Sequence, residues 1–378
     1  MTDMIPFIDL KAQRGRIGAR IDAAVAKVLD EGRYILGPEV AKLEADLARF
    51  NGEGRALSCA NGTDAILIPL MAWGIGRGDA VFVPSFTFAS TAEVVVLAGA
   101  SPIYVDIDPD TYNMSPASLA AAIDAVVTKG ELTPRAVIAV DLFGQPADYP
   151  KLAELTRAHG MKLIADGAQG FGCTLNGHSS LHWADVLTVS FYPAKPLGCY
   201  GDGGAVLCKD DGLFDTMKSV RVHGEGKERY EYARIGLNSR LDTIQAAVLI
   251  EKLRVFGEEI EMRQRVADRY AAGFGNQVQW PRVPENAQST WAQYTIEVAD
   301  RDGFRAHLAA KGVPSAIYYP IPLHLHEPYA PYPVVPGGLP VTEAAAHRVV
   351  SLPMHPDMSD ADIDQVIDAV LSYPAAHA

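Results

Sequence analysis

Lys195 stands between Pro193 and Pro196 in a stretch, residues 188–206, that reads T-V-S-F-Y-P-A-K-P-L-G-C-Y-G-D-G-G-A-V. The flanking prolines exclude a helix, and the four glycines that follow admit backbone geometries other residues resist. A lysine held on such a loop among apolar neighbours has its pKa lowered by burial, which frees the lone pair that attacks a carbonyl. A solvated loop lysine is the plain alternative. Four other positions with chemical potential each follow a short apolar run. Asn61-Gly62-Thr63-Asp64 comes after residues 56–60; free N–H groups and a hydroxyl at a helix start suit a phosphate, although Asn61 or Thr63 serves equally as an ordinary cap. Ser85-Phe86-Thr87-Phe88 comes after residues 81–84, and an aromatic there either joins the core or stacks on a flat ring. Asp166 closes residues 162–165, where a carboxylate pairs with a cationic ring nitrogen or caps a helix. Ser190 ends the next run, five residues before Lys195.

The elements that must hold these positions follow from the hydrophobic rhythm. Residues 9–50 read as two helical pieces separated at Tyr34-Ile-Leu-Gly-Pro, the second with Val40, Leu43, Leu47 and Phe50 on one face. From residue 56 onward β-rich runs at 56–60, 80–84, 102–106, 136–141, 161–166, 185–190 and 203–208 alternate with helical stretches at 63–73, 90–99, 115–126 and 147–159. Several runs are too apolar to leave one face in water, which predicts an α/β fold with a seven-stranded, mostly parallel sheet and helices on both sides. Ligands of such sheets bind at the carboxyl ends of the strands. After Cys208 the alternation stops. An amphipathic helix over 240–270 leads to strands at 292–298 and 314–319, a proline-rich loop over 320–340 and a last helix over 359–372. Two domains are expected: residues 1–250, an N-terminal arm and the sheet, and residues 251–378, a smaller α+β unit.

Composition narrows the function classes. With 378 residues, 48% hydrophobic and 21% charged, the chain is an ordinary globular protein. A net charge of -13 argues against a nucleic-acid or anionic-membrane partner. The N-terminal stretch lacks a basic-then-apolar signal and no run reaches membrane-span length, so a cytoplasmic location is expected. Cys59, Cys173, Cys199 and Cys208 show no C-x-x-C pair or zinc spacing, which points to reduced thiols. His324-x-His326 lacks a third ligand, and no metal is expected.

A phosphate cradle, an aromatic, an aspartate, a serine and a lysine at successive strand ends together fit pyridoxal 5'-phosphate, which needs one lysine, one acid for its ring nitrogen and an anchored phosphate. The chain resembles the sugar-nucleotide aminotransferases of the DegT/DnrJ/EryC1/StrS family. The resemblance rests on I-L-G-P-E-V (35–40), C-A-N-G-T-D-A (59–65), V-D-I-D-P-x-T-Y-N (105–113), A-D-G-A-Q (165–169), S-F-Y-P-A-K-P-L-G-C-Y-G-D-G-G-A (190–205), N-S-R-L-D-T-I-Q-A-A (238–247), Y-P-I-P-L-H (319–324) and S-L-P-M-H-P (351–356). It implies the aspartate aminotransferase fold, fold type I, and a set of roles. Lys195 carries the cofactor and moves a proton; Asp166 pairs with the ring nitrogen; Gln169 contacts the ring or its 3-oxygen; Phe88 stacks on it. Gly62, Thr63 and Ser190 hold the phosphate, and Asn238 reaches it from a partner subunit, which requires a homodimer with the site at its interface.

Within the family, the P-L-G-C-Y-G-D-G-G-A ending and Y-P-I-P-L most resemble enzymes that move an amino group from L-glutamate to C3 of a UDP-linked 3-keto-N-acetylhexosamine or its uronic acid, for lipid A or O-antigen. Tyr318 and Tyr319 then line the sugar, and Arg240, Arg229 or His324 supplies the cation that a C6 carboxylate wants. The sequence departs from the family's usual Ala-Ala-Gln-Ser at Gly167-Ala168-Gln169-Gly170, which is expected to loosen the aspartate loop and to remove a hydroxyl near the cofactor. Amination of a 4-keto dTDP- or GDP-sugar, a cofactor-binding regulator without turnover and another fold type I reaction are the alternatives.

Overall fold

The computed structural model describes residues 5–374 except 229 and 281. In chain order the elements are α1 (Leu10–Glu31), α2 (Pro38–Asn51), β1 (Arg55–Cys59), α3 (Gly62–Ala72), β2 (Asp79–Pro84), α4 (Ser90–Leu97), β3 (Ser101–Val105), α5 (Pro116–Lys129), β4 (Thr133–Val140), α6 (Tyr149–Ala158), β5 (Lys162–Asp166), β6 (Thr174–Leu175), β7 (Val186–Ser190), β8 (Gly204–Cys208), α7 (Asp211–Arg221), α8 (Thr243–Phe274), β9 (Ala287–Gln288), β10 (Tyr294–Glu297), α9 (Arg301–Ala310), α10 (Pro340–Arg348), β11 (Val349–Leu352) and α11 (Asp360–Leu371).

The seven expected strands form one sheet in the order β1-β8-β7-β5-β4-β2-β3. β8 runs antiparallel to both of its neighbours, and the other pairs are parallel. The carboxyl ends of β1, β2, β5 and β7 therefore open at one edge, where β8 begins. Residues such as Phe82, Val137, Ile164 and Val206 are buried, as expected of strands covered on both faces.

α8 passes without a break from one core into another. Ala246, Leu249 and Phe256 pack with the sheet, while Val266, Tyr270 and Phe274 pack with β10, β11, α9 and α11. The expected strand over 314–319 does not form. Only Ala316 makes a bridge, to Ser351. The sequence reading also missed α7, α9, α10 and β11. α7 carries a legible signal: its cap Asp210 accepts from Leu213 N at 2.7 Å, and Phe214, Met217 and Val220 form the buried stripe.

Candidate active site

The first wall of the site is the start of α3. Asn61 caps that helix, its Oδ1 accepting from Asp64 N at 2.8 Å. The N–H groups of Gly62 and Thr63 lie in the first turn, where no helical acceptor exists, and among the described residues the Thr63 hydroxyl has no partner. The cap is thus made by Asn61, which leaves the Thr63 hydroxyl for another partner. A Cβ on Gly62 would sit 2.6 Å from Ser190 Cβ and 2.8 Å from its Oγ, so the missing side chain brings the Ser190 hydroxyl against the helix N-terminus. Two N–H groups, two hydroxyls and the helix dipole converge there, a donor set suited to a phosphate.

The glycines beyond Lys195 are spent on close packing. A Cβ on Gly204 would lie 2.3 Å from the Asn61 carbonyl oxygen, one on Gly198 2.4 Å from the Pro193 carbonyl, and one on Gly203 2.9 Å from Leu241 Cδ1. The loop can therefore fold back on itself and set Lys195 beside the sheet edge.

Asp166 ends β5 and is 4% exposed. One of its oxygens accepts from Ala168 N at 3.0 Å. Burial raises its pKa, with Lys195 among the groups pulling it back. Lys195, half-buried, donates its backbone N–H to Tyr192 O at 2.8 Å. Burial lowers the pKa of its amine, and Asp166 opposes the shift. The structure thus brings the two groups into electrostatic reach and leaves the amine closer to its neutral, nucleophilic form.

Gln169 is clamped at both ends: its Oε1 accepts from Phe143 N at 2.6 Å and its Nε2 donates to the Tyr319 hydroxyl at 3.0 Å. Tyr319 is thereby tied to the aspartate loop as well as to the Y-P-I-P-L turn. The two aromatics after β2 divide between the alternatives. Phe86 is 1% exposed and belongs to the core, whereas Phe88 is 58% exposed, its ring centroid 6.4 Å from that of Tyr319.

Other expected contacts lie at varying remove. Asn238 bridges Val222 and accepts from Arg240 Nη2 at 2.5 Å. Their segment touches the phosphate turn where Ser239 Oγ accepts from Ala60 N at 3.2 Å. His324 is held by Ser85 Oγ at 2.8 Å and Glu343 at 3.2 Å, which leaves its ring committed within the fold. Tyr318 is half-buried, 6.4 Å between ring centroids from Phe7. Arg229 lies outside the described residues. The aspartate loop is not loosened by Gly167, whose N–H donates to Thr188 O at 2.9 Å and whose missing Cβ would meet Leu187 Cδ1 at 2.8 Å. Nor does Gly170 mark a vacant hydroxyl position: a Cβ there would lie 2.3 Å from Cβ of Asp141. Asp141 was missed, although it directly follows β4 where Asp166 ends β5. All four cysteines are buried and unpaired. Among the described residues no helix is long and apolar enough to cross a membrane and no cluster of metal-ligating side chains occurs.

A buried aspartate, a lysine of depressed pKa, an exposed aromatic face and a phosphate cradle at one sheet edge define a pyridoxal-phosphate enzyme, and these residues fit that cofactor. Residues 16–371 match the DegT/DnrJ/EryC1/StrS aminotransferase family, and the chain belongs to it. Pyridoxal 5'-phosphate is its cofactor, and it is a sugar-nucleotide aminotransferase. It is 46% identical to the UDP-2-acetamido-2-deoxy-3-oxo-D-glucuronate aminotransferase of Pseudomonas aeruginosa, over 98% of this chain and 100% of that one. It is 38% identical to the UDP-N-acetyl-3-dehydro-alpha-D-glucosamine 3-aminotransferase of Acidithiobacillus ferrooxidans, over 97% of each. A crystal structure of a family aminotransferase from Brucella abortus superposes with a TM-score of 0.95 at 53% identity, covering 97% of this chain and 98% of that one. The Bacillus subtilis NtdA structure, with PMP bound, superposes at 0.85 with 26% identity, covering 98% and 85%.

Proposed function

We propose that the enzyme moves an amino group from L-glutamate to C3 of a UDP-linked 3-keto-N-acetylhexosamine, with the C6-oxidised, uronic acid form preferred. The observation that carries the reading is the electrostatic coupling of Lys195 with Asp166, together with the Ser190 hydroxyl set against the start of α3, in a chain whose 46%-identical relative is named for the uronate and whose 38%-identical relative is named for the glucosamine. Arg240, half-buried beside Asn238, is the cation assigned to the C6 carboxylate.

Gly62, Thr63 and Ser190 would hold the cofactor phosphate, and the exposed Phe88 would offer its ring a stacking face. Asp166 would keep a proton on the ring nitrogen. When bound, the cofactor supplies a carbonyl that stores the amino group and a ring that delocalises charge from the substrate carbon. The Lys195 amine would hold the cofactor and, as a neutral base, would move a proton at the substrate carbon. Gln169 orients the 3-oxygen side of the site, and Tyr318 and Tyr319 line the sugar.

A homodimer completes the site, Asn238 of one copy reaching the phosphate of the other. Tyr34, Ile35, Leu36, Tyr200 and Ile235 are exposed apolar side chains that a second copy would cover. The cell compartment is the cytoplasm, and the product feeds lipopolysaccharide assembly.

Purified protein is expected to absorb in the visible through lysine-linked cofactor, and Lys195→Ala to lose both the band and turnover; an active Lys195→Ala enzyme refutes the assignment. Incubation with glutamate and each 3-keto UDP-sugar, generated in situ by its dehydrogenase and read by mass spectrometry, identifies the substrate. Amination of neither redirects the search to 4-keto dTDP- or GDP-sugars.

A further inference from the structure

Behind Asp166 lies a second carboxylate that the chemistry above does not use. Asp141 follows β4, is 0% exposed, and donates its N–H to the Asp166 carbonyl at 3.0 Å. Four donors converge on it. Oδ1 accepts from Ala147 N at 3.1 Å and the Tyr149 hydroxyl at 2.7 Å. Oδ2 accepts from the Ser180 hydroxyl at 2.9 Å and Cys173 Sγ at 3.6 Å. With both oxygens accepting, the arrangement suits an ionised carboxylate. The titratable groups facing it are Tyr149 on α6, Cys173 on the loop after β5 and Asp166 on β5; among the described residues no cation pairs with it. Gly170 makes the arrangement possible, since a side chain there would begin 2.3 Å from Asp141 Cβ. The absent side chain at 170 thus leaves the space that Asp141 occupies.

We propose that Asp141 is a positioning residue: a second buried anion, tied by its backbone N–H to the Asp166 carbonyl, whose field adds to that of Asp166 and keeps protons on the cofactor's nitrogens to higher pH. The proposal rests on the assignment of Asp166 to the ring nitrogen. An anion in a low-dielectric interior raises the proton affinity of every basic atom near it. Burial pushes the pKa of Asp141 up to about 7, so its charge develops across the neutral range. A residue that merely held the loop together would affect melting and leave proton affinity where it was.

The test is a pH titration of the visible band of the holoenzyme. Asp141→Asn keeps the volume and can still accept at Oδ1; it is expected to lower the pH of the band's transition by about one unit. Tyr149→Phe leaves the carboxyl in place and removes one donor, so less of Asp141 is ionised; the transition moves the same way by a smaller amount. An unmoved transition in either cofactor-bound variant overturns the proposal. If Asp141→Asn does not fold, Tyr149→Phe alone decides. A wild-type protein without a Lys195-dependent band instead overturns the cofactor assignment, before any variant is made.

Discussion

Gly204→Ala probes the geometry that joins the phosphate turn to the sheet. Gly204 pairs with Cys59 on one side and Ser190 on the other. β8 is thus held from both edges and cannot yield. The new Cβ would lie 2.3 Å from the Asn61 carbonyl oxygen and 3.0 Å from Gly62 N, well inside the roughly 3.5 Å at which non-bonded atoms attract. The Asn61–Gly62 turn must therefore move by on the order of 1 Å, carrying with it the N–H groups proposed to hold the phosphate. Overpacking of this kind costs about 1–3 kcal/mol of stability. Misplacing one charge-assisted hydrogen bond costs a further 1.5–3 kcal/mol or so of cofactor binding, roughly a 10- to 100-fold rise in Kd. Fluorescence titration of the apoenzyme with pyridoxal phosphate reads the second effect, and thermal unfolding of the apoenzyme reads the first. Gly257→Ala is the control: it lies in α8 with no atom near its added Cβ, and gains about 1 kcal/mol from helix propensity. A Gly204→Ala protein that binds the cofactor within twofold of wild type refutes the packing account of the D-G-G-A motif.

Further outcomes separate capping from ligand binding and charge from packing. Thr63→Val is expected to weaken cofactor binding about tenfold with the apoenzyme's melting temperature unchanged, whereas Asn61→Ala loses about 1 kcal/mol of apoenzyme stability because the cap to Asp64 is gone; equal melting losses in both would contradict the division of roles. Lys252 is buried, its ammonium 4.5 Å from the centre of the Tyr200 ring. Burial lowers its pKa from 10.5 to about 8. The folded state therefore binds fewer protons than the unfolded one between those values, and stability rises as pH climbs from about 8 to 10.5. Lys252→Met should remove that rise, at most on the order of 3 kcal/mol, in denaturant titrations across the same range. A slope equal to wild type would show that the lysine titrates normally.

Sequence alone determined much of this protein. The seven strands were legible because a sheet covered on both faces demands apolar runs, and Lys195, Asp166, Thr63 and Ser190 stood out because each closes such a run or follows one closely. What the chain order could not convey was contact between segments far apart. Gly204 reads as flexibility in sequence and proves to be room for Asn61. Gly170 reads as a lost hydroxyl and proves to be room for Asp141. Phe86 and Phe88 are two residues apart and indistinguishable by type, yet one is core and the other faces open space. The strand expected over 314–319 also depended on a distant partner, and it meets that partner only at the single bridge from Ala316 to Ser351. Local pattern specifies which residues lie at the sheet edge; only the tertiary structure decides which of them have spent their hydrogen bonds and their space on one another, and which remain for a ligand.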